Sequence, residues 1–124
     1  MASINVNKIE RRGRLSLLDS VKFQVTQYCY FNQIMISPRQ LDCVALLAVS
    51  GEQDLTSFCE VLSEKKIFDN PQSARTSIGK IEAKSLIVKT GKNKKKIKVA
   101  DLKLQLVPPI LIDIKLLTIE TTTN

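Results

Sequence analysis

The sequence predicts an α+β fold in which three short helices precede a β-hairpin, and three observations support this prediction. Residues suited to begin a helix occur three times, at Ser37-Pro38, Asp54 and Asn70-Pro71. Each of these sites is followed by apolar residues at helical spacing. Two runs rich in β-branched residues then flank Gly91, and a glycine turn between two such runs is typical of a hairpin.

The first helix is predicted from its capping chemistry. Ser37 can accept hydrogen bonds from the open end of the helix, Pro38 suits the first helical position, and Gln40 completes a capping box. Gly51 follows the last apolar residue at helical spacing, so we expect it to end the helix in the left-handed αL conformation. Asp54 is expected to cap the second helix by the same chemistry.

The third helix is predicted to begin after Asn70-Pro71 and to run to about Lys84. The spacing of Ala74, Ile78 and Ile81 indicates that these residues face the core. Polar and basic residues occupy the opposite face and are expected to point outward: Gln72, Ser73, Arg75, Thr76, Lys80 and Lys84.

The hairpin is predicted from residues 86–89 and 96–99, and it concentrates the positive charge of the chain. The stretch from Lys89 to Lys98 contains six lysines and no acid, whereas the whole chain has 19 basic and 12 acidic residues and a net charge of +7. Three short helices followed by a basic hairpin are the element order of a winged helix-turn-helix, in which the third helix enters a major groove. We therefore predict this fold, with the hairpin as the wing.

Additional antiparallel strands are predicted from both ends of the chain. Residues 21–31 alternate apolar and polar at first and are rich in β-branched and aromatic types, which favours a strand with one buried face. Residues 102–106 alternate leucine with polar residues and predict a second strand. Residues 110–119 predict a third strand after the break at Pro108-Pro109, and we expect it to pair with residues 21–31 or with the hairpin.

The composition suggests one domain with short extensions. We assign residues 1–19 to a basic flexible arm, residues 20–119 to the winged-helix domain with its flanking strands, and residues 120–124 to a polar tail. We expect the arm and the tail to be held by neighbouring protein subunits, because neither has enough apolar surface to order itself.

No apolar run approaches the roughly 20 residues that span a bilayer, and the first residues lack the pattern of a secretory signal. We therefore expect no membrane partner and a reducing, intracellular location.

The sequence offers little to a catalytic or metal site. Its three cysteines, Cys29, Cys43 and Cys59, have long and irregular spacing, which fits reduced, buried thiols better than a disulfide framework or a zinc site. There is no histidine, so the most common general base and metal ligand are missing. We predict that the protein is not an enzyme and has no cofactor and no metal.

Candidate binding residues for a nucleic acid or another anionic partner fall on three segments. Arginine and glutamine can read base edges, while hydroxyls and lysines suit phosphates. The alternatives are a solvated helix face, a solubilising hairpin tip and a solvated tail, although crowded lysines repel one another and favour an anionic partner. The candidates are Gln72, Ser73, Arg75, Thr76 and Lys80 of the third helix, Lys92, Lys94, Lys95, Lys96 and Lys98 of the wing, and Arg11, Arg12 and Arg14 of the arm.

The central part of the chain resembles a known family. The resemblance is carried by Ile67-Phe68-Asp69-Asn70-Pro71-Gln72-Ser73-Ala74-Arg75, by Leu86-Ile87-Val88-Lys89-Thr90-Gly91-Lys92 and by Lys94-Lys95-Lys96-Ile97. These stretches resemble a small conserved protein of crAss-like tailed phages that infect Bacteroides, over about residues 20–119. The winged-helix pattern is also similar to bacterial regulators of the MarR type. The phage resemblance implies a virion component near the portal, neck or capsid, and no catalytic residue.

Two functions follow as expectations. The first is a non-catalytic structural or interaction subunit of a tailed-phage virion, with other virion proteins, double-stranded DNA or further copies in an oligomer or ring as partners. The second is a winged-helix transcriptional regulator that binds DNA through the third helix and the wing. A regulator needs a dimerisation element, and the sequence shows no heptad helix outside the domain, which favours the first function. The corresponding locations are the virion and the host cytoplasm.

Overall fold

The computed structural model describes the backbone of residues 2–107 and 111–123 and the side chains of residues 15–107. The fold is α+β, as predicted, with four helices and a small three-stranded antiparallel sheet. A second, two-stranded sheet is formed by the two ends of the chain. The elements follow one another as β1 (Ala2–Arg14), α1 (Leu17–Phe31), α2 (Pro38–Ser50), β2 (Gln53–Asp54), α3 (Leu55–Glu64), α4 (Pro71–Ala83), β3 (Ile87–Thr90), β4 (Lys96–Val99) and β5 (Leu111–Thr123).

The predicted starts of α2, α3 and α4 are confirmed. Ser37 and Asn70 each form a capping box with the residue three positions later, and an oxygen of Asp54 accepts a hydrogen bond from the backbone N–H of Ser57 at 2.9 Å. Gly51 has the expected positive φ, 81°, but its ψ of −169° lies outside the αL conformation that was predicted. Local capping chemistry therefore fixed where these helices begin.

Helix α1 (Leu17–Phe31) replaces the strand predicted over residues 21–31, so that prediction is wrong. The helix also takes up residues 17–19, which the sequence assigned to the arm. Its buried residues include Val21, Val25 and Cys29, which recur every four positions and therefore lie on one face of a helix.

The apolar and polar residues whose alternation suggested a strand are not alternately buried and exposed. Phe23, which stands between two buried valines, is 36% exposed. Ser16 begins the helix instead, since its side chain accepts a hydrogen bond from the backbone N–H of Asp19 at 3.1 Å. The buried face of α1 packs against α2, and this tertiary packing overrides the β-propensity of the segment.

The three-stranded sheet has the order β2-β4-β3, and all of its pairs are antiparallel. Strands β3 and β4 confirm the predicted hairpin, with Ile87 opposite Val99 and Thr90 opposite Lys96. The short strand β2 was not predicted. It places Gln53 opposite Ile97 on the outer side of β4, so the link between α2 and α3 joins the sheet.

The core lies between the helices and the inner face of this sheet. Helix α1 packs on α2, α3 packs on α4, and strands β4 and β3 contact α2 and α4 respectively. Phe68 in the link between α3 and α4 is 6% exposed and closes the core between these helices. The largest fully buried side chains are Phe58, Leu47, Leu62, Ile78, Ile81, Leu86, Ile87 and Ile97.

Residues 101–106 do not form the strand predicted from their alternating leucines, and that prediction is wrong. Lys103 has a φ of +58°, which interrupts an extended chain. The backbone of Gln105 pairs with the side chain of Gln24 on α1: the Gln24 amide donates to the Gln105 carbonyl at 3.1 Å and accepts from its N–H at 2.7 Å. A side-chain amide thus takes the place of a neighbouring strand.

Strands β1 and β5 pair antiparallel along their whole length, from Ala2 opposite Thr123 to Arg14 opposite Leu111. The strand predicted over residues 110–119 is confirmed from Leu111 onward, while Ile110 and Pro108-Pro109 lie outside the described residues. Its predicted partner was wrong, because it pairs with neither residues 21–31 nor the hairpin. Its partner is the segment that the sequence analysis assigned to a flexible arm.

The three cysteines are free and buried, as predicted. Burial, together with the neighbouring Cys59, raises the pKa of the Cys43 thiol to about 12. Burial also raises the pKa values of the Cys29 and Cys59 thiols above their ordinary value. Since the thiolate is the reactive form, these residues serve the core and are poor nucleophiles.

Candidate nucleic-acid interface

The tip of the β3–β4 hairpin is a tight turn with an unusual backbone. Gly91, Asn93 and Lys94 all have positive φ values, of 81°, 63° and 53°. The Lys94 N–H donates to the Gly91 carbonyl at 3.2 Å and closes the turn. A Cβ atom at Gly91 would lie 3.4 Å from the side chain of Lys96. This is an ordinary van der Waals distance, so glycine suits the position because of its positive φ and not because of its size.

The hairpin is fixed to the body of the protein from its inner face. Ile87 and Ile97 are 1% and 0% exposed, so they anchor β3 and β4 in the core. The backbone N–H of Leu55 donates to the carbonyl of Lys95 at 2.9 Å, which joins the first residue of α3 to the tip. The tip is therefore held in a defined position while its side chains face solvent.

All five candidate lysines of the hairpin are exposed: Lys92, Lys94, Lys95, Lys96 and Lys98. Two lysines in the strands of the hairpin form ion pairs with described residues. Lys96 lies 3.9 Å from a carboxylate oxygen of Glu52, and Lys89 lies 3.7 Å from a carboxylate oxygen of Glu82. Between described residues there is no ion pair that involves Lys92, Lys94, Lys95 or Lys98 of the hairpin.

Glu52 joins the hairpin to the link between α2 and β2. One carboxylate oxygen accepts a hydrogen bond from the Thr90 hydroxyl at 2.9 Å, and the other faces Lys96. Glu52 was not among the predicted site residues. Its basis is tertiary, because Glu52 and Thr90 meet only after β2 has paired with β4.

The outward face of α4 carries the other main group of candidates. Gln72, Arg75, Thr76 and Lys80 are exposed, while Ala74, Ile78 and Ile81 are buried, as predicted. The two groups alternate as on an amphipathic helix. The exposed group thus forms one polar stripe on α4, the helix that directly precedes the hairpin in the chain.

Two polar residues of α4 are engaged by the fold itself. The Ser73 hydroxyl donates to the Asn70 carbonyl at 2.9 Å and accepts from the Asn70 N–H at 3.3 Å, so this candidate serves the helix cap. Lys84 follows α4 and was predicted to point outward, but it is half-buried. Its ammonium group donates to the carbonyl of Met35 and to the side-chain oxygen of Gln40.

Arg75 is exposed and at the same time positioned by another helix. Its guanidinium donates to the hydroxyl of Thr56 on α3 at 2.8 Å. A guanidinium has five N–H donors, so this bond leaves others free for a ligand. Thr56 was not among the predicted site residues, since only the packing of α3 on α4 brings it to Arg75.

The arm candidates are placed by backbone alone. Arg11, Arg12 and Arg14 belong to β1, where they stand opposite Ile114, Asp113 and Leu111 of β5. Their side chains lie outside the described residues. The structure therefore brings the α4 and hairpin candidates to adjacent elements and gives no contact for the arm candidates.

Comparisons with protein-family models, with curated proteins and with solved structures find no match to this chain. None of the described helices is both long enough and apolar enough to cross a bilayer.

Proposed function

We propose that the protein is a non-catalytic DNA-binding protein built on a winged helix, with double-stranded DNA as its partner. Helix α4 would lie in a major groove, and the β3–β4 hairpin would be the wing beside it. The observation that carries this proposal is the order of the elements, α2-β2-α3-α4-β3-β4, combined with the sheet order β2-β4-β3. This arrangement is compatible with a winged helix, whose recognition helix is followed directly by the wing.

The distribution of charge supports the same partner. The exposed cations of the interface that have no ion pair with a described residue number six: Lys92, Lys94, Lys95, Lys98, Arg75 and Lys80. If about six cations displace counterions, the slope of log affinity against log salt is near −5. Affinity for DNA should then fall roughly a thousandfold between about 50 and 200 mM salt.

The test is fluorescence anisotropy of a short labelled duplex, titrated with the full chain at several salt concentrations. Replacing Lys94 and Lys95 with Ala should make the salt slope shallower by about 2, because each phosphate contact contributes about 0.9. A slope that does not change would refute the wing as a DNA contact. Absence of any binding at low salt would refute the proposed function as a whole.

A matched control variant is available in the link between α3 and α4. Lys65 and Lys66 are exposed neighbours like Lys94 and Lys95, and each pair contains one residue with positive φ, Lys66 at 59° and Lys94 at 53°. Replacing Lys65 and Lys66 with Ala removes the same charge and makes the same backbone change. This control should leave the slope within about 0.5 of the wild-type value if the wing makes the phosphate contacts.

We infer a second candidate function, that of a structural subunit in a tailed-phage virion with neighbouring virion proteins as partners. The resemblance to the crAss-like phage protein suggests it. The two ends of the chain pair with each other, so neither needs a neighbouring subunit in order to form a strand. A two-stranded ribbon is marginally stable in water by itself, however, and a neighbouring subunit would stabilise it. Mass spectrometry of purified virions is the test. A fixed stoichiometry would support this candidate, and absence from particles would favour a regulator in the host cytoplasm.

Helix α1 bears on the choice between these two candidate functions. The lack of a heptad helix outside residues 20–119 counted against a regulator. Helix α1 (Leu17–Phe31) is not such a helix, because it lies almost entirely within that domain, but it is an additional helix beside α2, α3 and α4. It exposes Phe23, Tyr30 and Phe31, the last two at 79% and 72%. Exposed aromatic residues are frequent at protein interfaces, so α1 offers a surface on which a regulator could dimerise.

A further inference from the structure

Among the residues that the structure describes, each 13-residue strand of the β1–β5 ribbon has a partner strand on one side only. A two-stranded ribbon is marginally stable in water by itself, and an open edge is a template for a further strand. A third strand would therefore stabilise this part of the molecule.

The two open edges differ in composition. Strand β1 carries four cations and one acid, and charged residues, particularly lysines, discourage pairing at an edge. Strand β5 carries one cation and two acids among β-branched, leucine and threonine residues, and it has no proline or glycine. Such a strand has high β-propensity and little net charge. The edge of β5 is therefore the better acceptor of another strand.

The first seven residues of β5 are complementary to themselves when two copies run antiparallel. A two-fold axis at Ile114 sets Ile114 opposite its own copy. It sets Asp113 opposite Lys115 of the second copy, and by symmetry this pair occurs twice. The apolar residues match as well, since Leu111 then stands opposite Leu117 and Ile112 opposite Leu116. Opposite charges at facing positions stabilise a strand pair.

The register within each ribbon extends this complementarity across four strands. Within one copy Arg12 stands opposite Asp113, and Glu10 stands opposite Lys115. When two copies pair in the order β1-β5-β5-β1, one row of facing positions crosses all four strands. The row contains Arg12 and Asp113 of one copy, followed by Lys115 and Glu10 of the second copy. Positive and negative charges therefore alternate along it. The intervening positions of β5 are Ile112, Ile114 and Leu116, which belong to the other face because residues alternate along a strand.

We propose that two copies of this chain associate through the edge of β5, antiparallel over residues 111–117 with the two-fold axis at Ile114. The occupant of the edge is a second copy because the segment is charge-complementary to itself about that residue. This inference goes beyond the proposed function, since it concerns the chain ends and neither α4 nor the hairpin. It gives two DNA-binding units, or two virion subunits, a common two-fold axis.

The variant that tests it is Ile114→Glu in the full chain, studied by analytical ultracentrifugation. Position 114 stands opposite Arg11 within its own ribbon, so a glutamate at this position faces a positively charged residue of its own copy. In the pair of copies it faces a second glutamate. We expect self-association to weaken by about tenfold or more, because like charges directly opposite destabilise a strand pair. A wild-type chain that stays monomeric at its highest soluble concentration, or a variant that associates like the wild type, would overturn the proposal.

The matched control is Thr121→Glu, which makes the same change of charge on β5 outside residues 111–117 and opposite Ile4. It should associate like the wild type. If it weakens association as much as Ile114→Glu does, net charge explains the effect and the proposed register is wrong. Both variants should bind DNA with the wild-type salt slope in conditions where they are monomeric, so a failure of DNA binding does not affect this test.

Distances between spin labels test the register directly. The native thiols are buried, so a label will react with a cysteine introduced at Thr118 or Thr121. For each residue that the labelled position lies further from Ile114, the distance between the two labels along the strands grows by about 6.6 Å. The expected distances between the labels are therefore about 26 Å at Thr118 and about 46 Å at Thr121. Equal distances at the two positions, or a shorter one at Thr121, would refute the proposed pairing.

Discussion

Helix α4 and the tip of the β3–β4 hairpin both carry candidate binding residues, but they use them differently. In α4, Ser73 belongs to the helix cap and Arg75 is bonded to Thr56, so these polar residues also serve the fold. At the tip, Lys92 and Lys94 are exposed and have no ion pair with a described residue. Substitution of Ser73 or Arg75 should therefore affect stability and binding together, whereas substitution of Lys92 or Lys94 should affect binding alone.

The difference has a physical cause. Helix α4 packs one face against α3 and the sheet, and Ser73 and Arg75 outside that face also form hydrogen bonds within the protein. The tip is held by the buried Ile87 and Ile97, by the backbone hydrogen bond from Leu55 to Lys95 and by Glu52. These contacts do not use the side chains of Lys92, Lys94 and Lys95, which can therefore concentrate like charges, and such a concentration attracts a polyanion.

The largest expected effect is on the buried face of α4. Replacing Ile81, which is fully buried, with Ala should lower the free energy of unfolding by roughly 2 to 5 kcal/mol, since it leaves a cavity in the core. Chemical denaturation measures this loss, with Lys80→Ala on the exposed face as the control. A loss below about 0.5 kcal/mol for Ile81→Ala would contradict the assignment of this face to the core.

A smaller effect is expected at the cap of α2. Replacing Ser37 with Ala removes the acceptor of the Gln40 N–H, which lies 3.2 Å from the Ser37 hydroxyl, and should lower the free energy of unfolding by about 1 kcal/mol. Ser50→Ala at the other end of the same helix is the matched control. Thermal unfolding should separate the two variants, and equal melting temperatures would show that the cap contributes nothing to stability.

The third prediction concerns the dependence of stability on pH at Asp54. Hydrogen bonds from the backbone N–H and then the hydroxyl of Ser57 lower the pKa of this carboxyl. Because the folded-state pKa lies below the unfolded one, the stabilisation is fully present above the unfolded pKa and is lost as pH falls through the folded pKa. Asp54→Asn keeps an acceptor and removes the titration. The stability difference between wild type and this variant should therefore shrink on acidification, and a difference that stays constant with pH would contradict the assignment.

The smallest effect on stability is expected at the hairpin tip. Replacing Lys92, Lys94, Lys95 and Lys96 together with Ala should leave the melting temperature nearly unchanged, because the one ion pair lost, between Lys96 and Glu52, is exposed. The same variant should lower the salt slope of DNA binding by about 3 to 4. A clear fall in melting temperature would mean that the tip supports the fold, and the contrast with α4 would not hold.

The sequence predicted best where structure depends on residues close together in the chain. The starts of α2, α3 and α4 follow from caps that act over three residues, and the hairpin follows from Gly91. Residues 21–31 were misassigned because their alternation competes with the helical spacing of Val21, Val25 and Cys29. The deciding factor was the surface of α2 against which α1 packs, and that surface is not visible in a local pattern.

The sequence by itself determined the α+β class, three capped helices and a lysine-rich turn, because each rests on short-range hydrogen bonds, side-chain periodicity or charge. Only the tertiary structure decided that Glu52 supports the hairpin, that Thr56 holds Arg75, and that the two chain ends pair with each other. These features join residues far apart in the chain. Their formation depends on how the intervening elements pack, which no local rule of capping or periodicity contains.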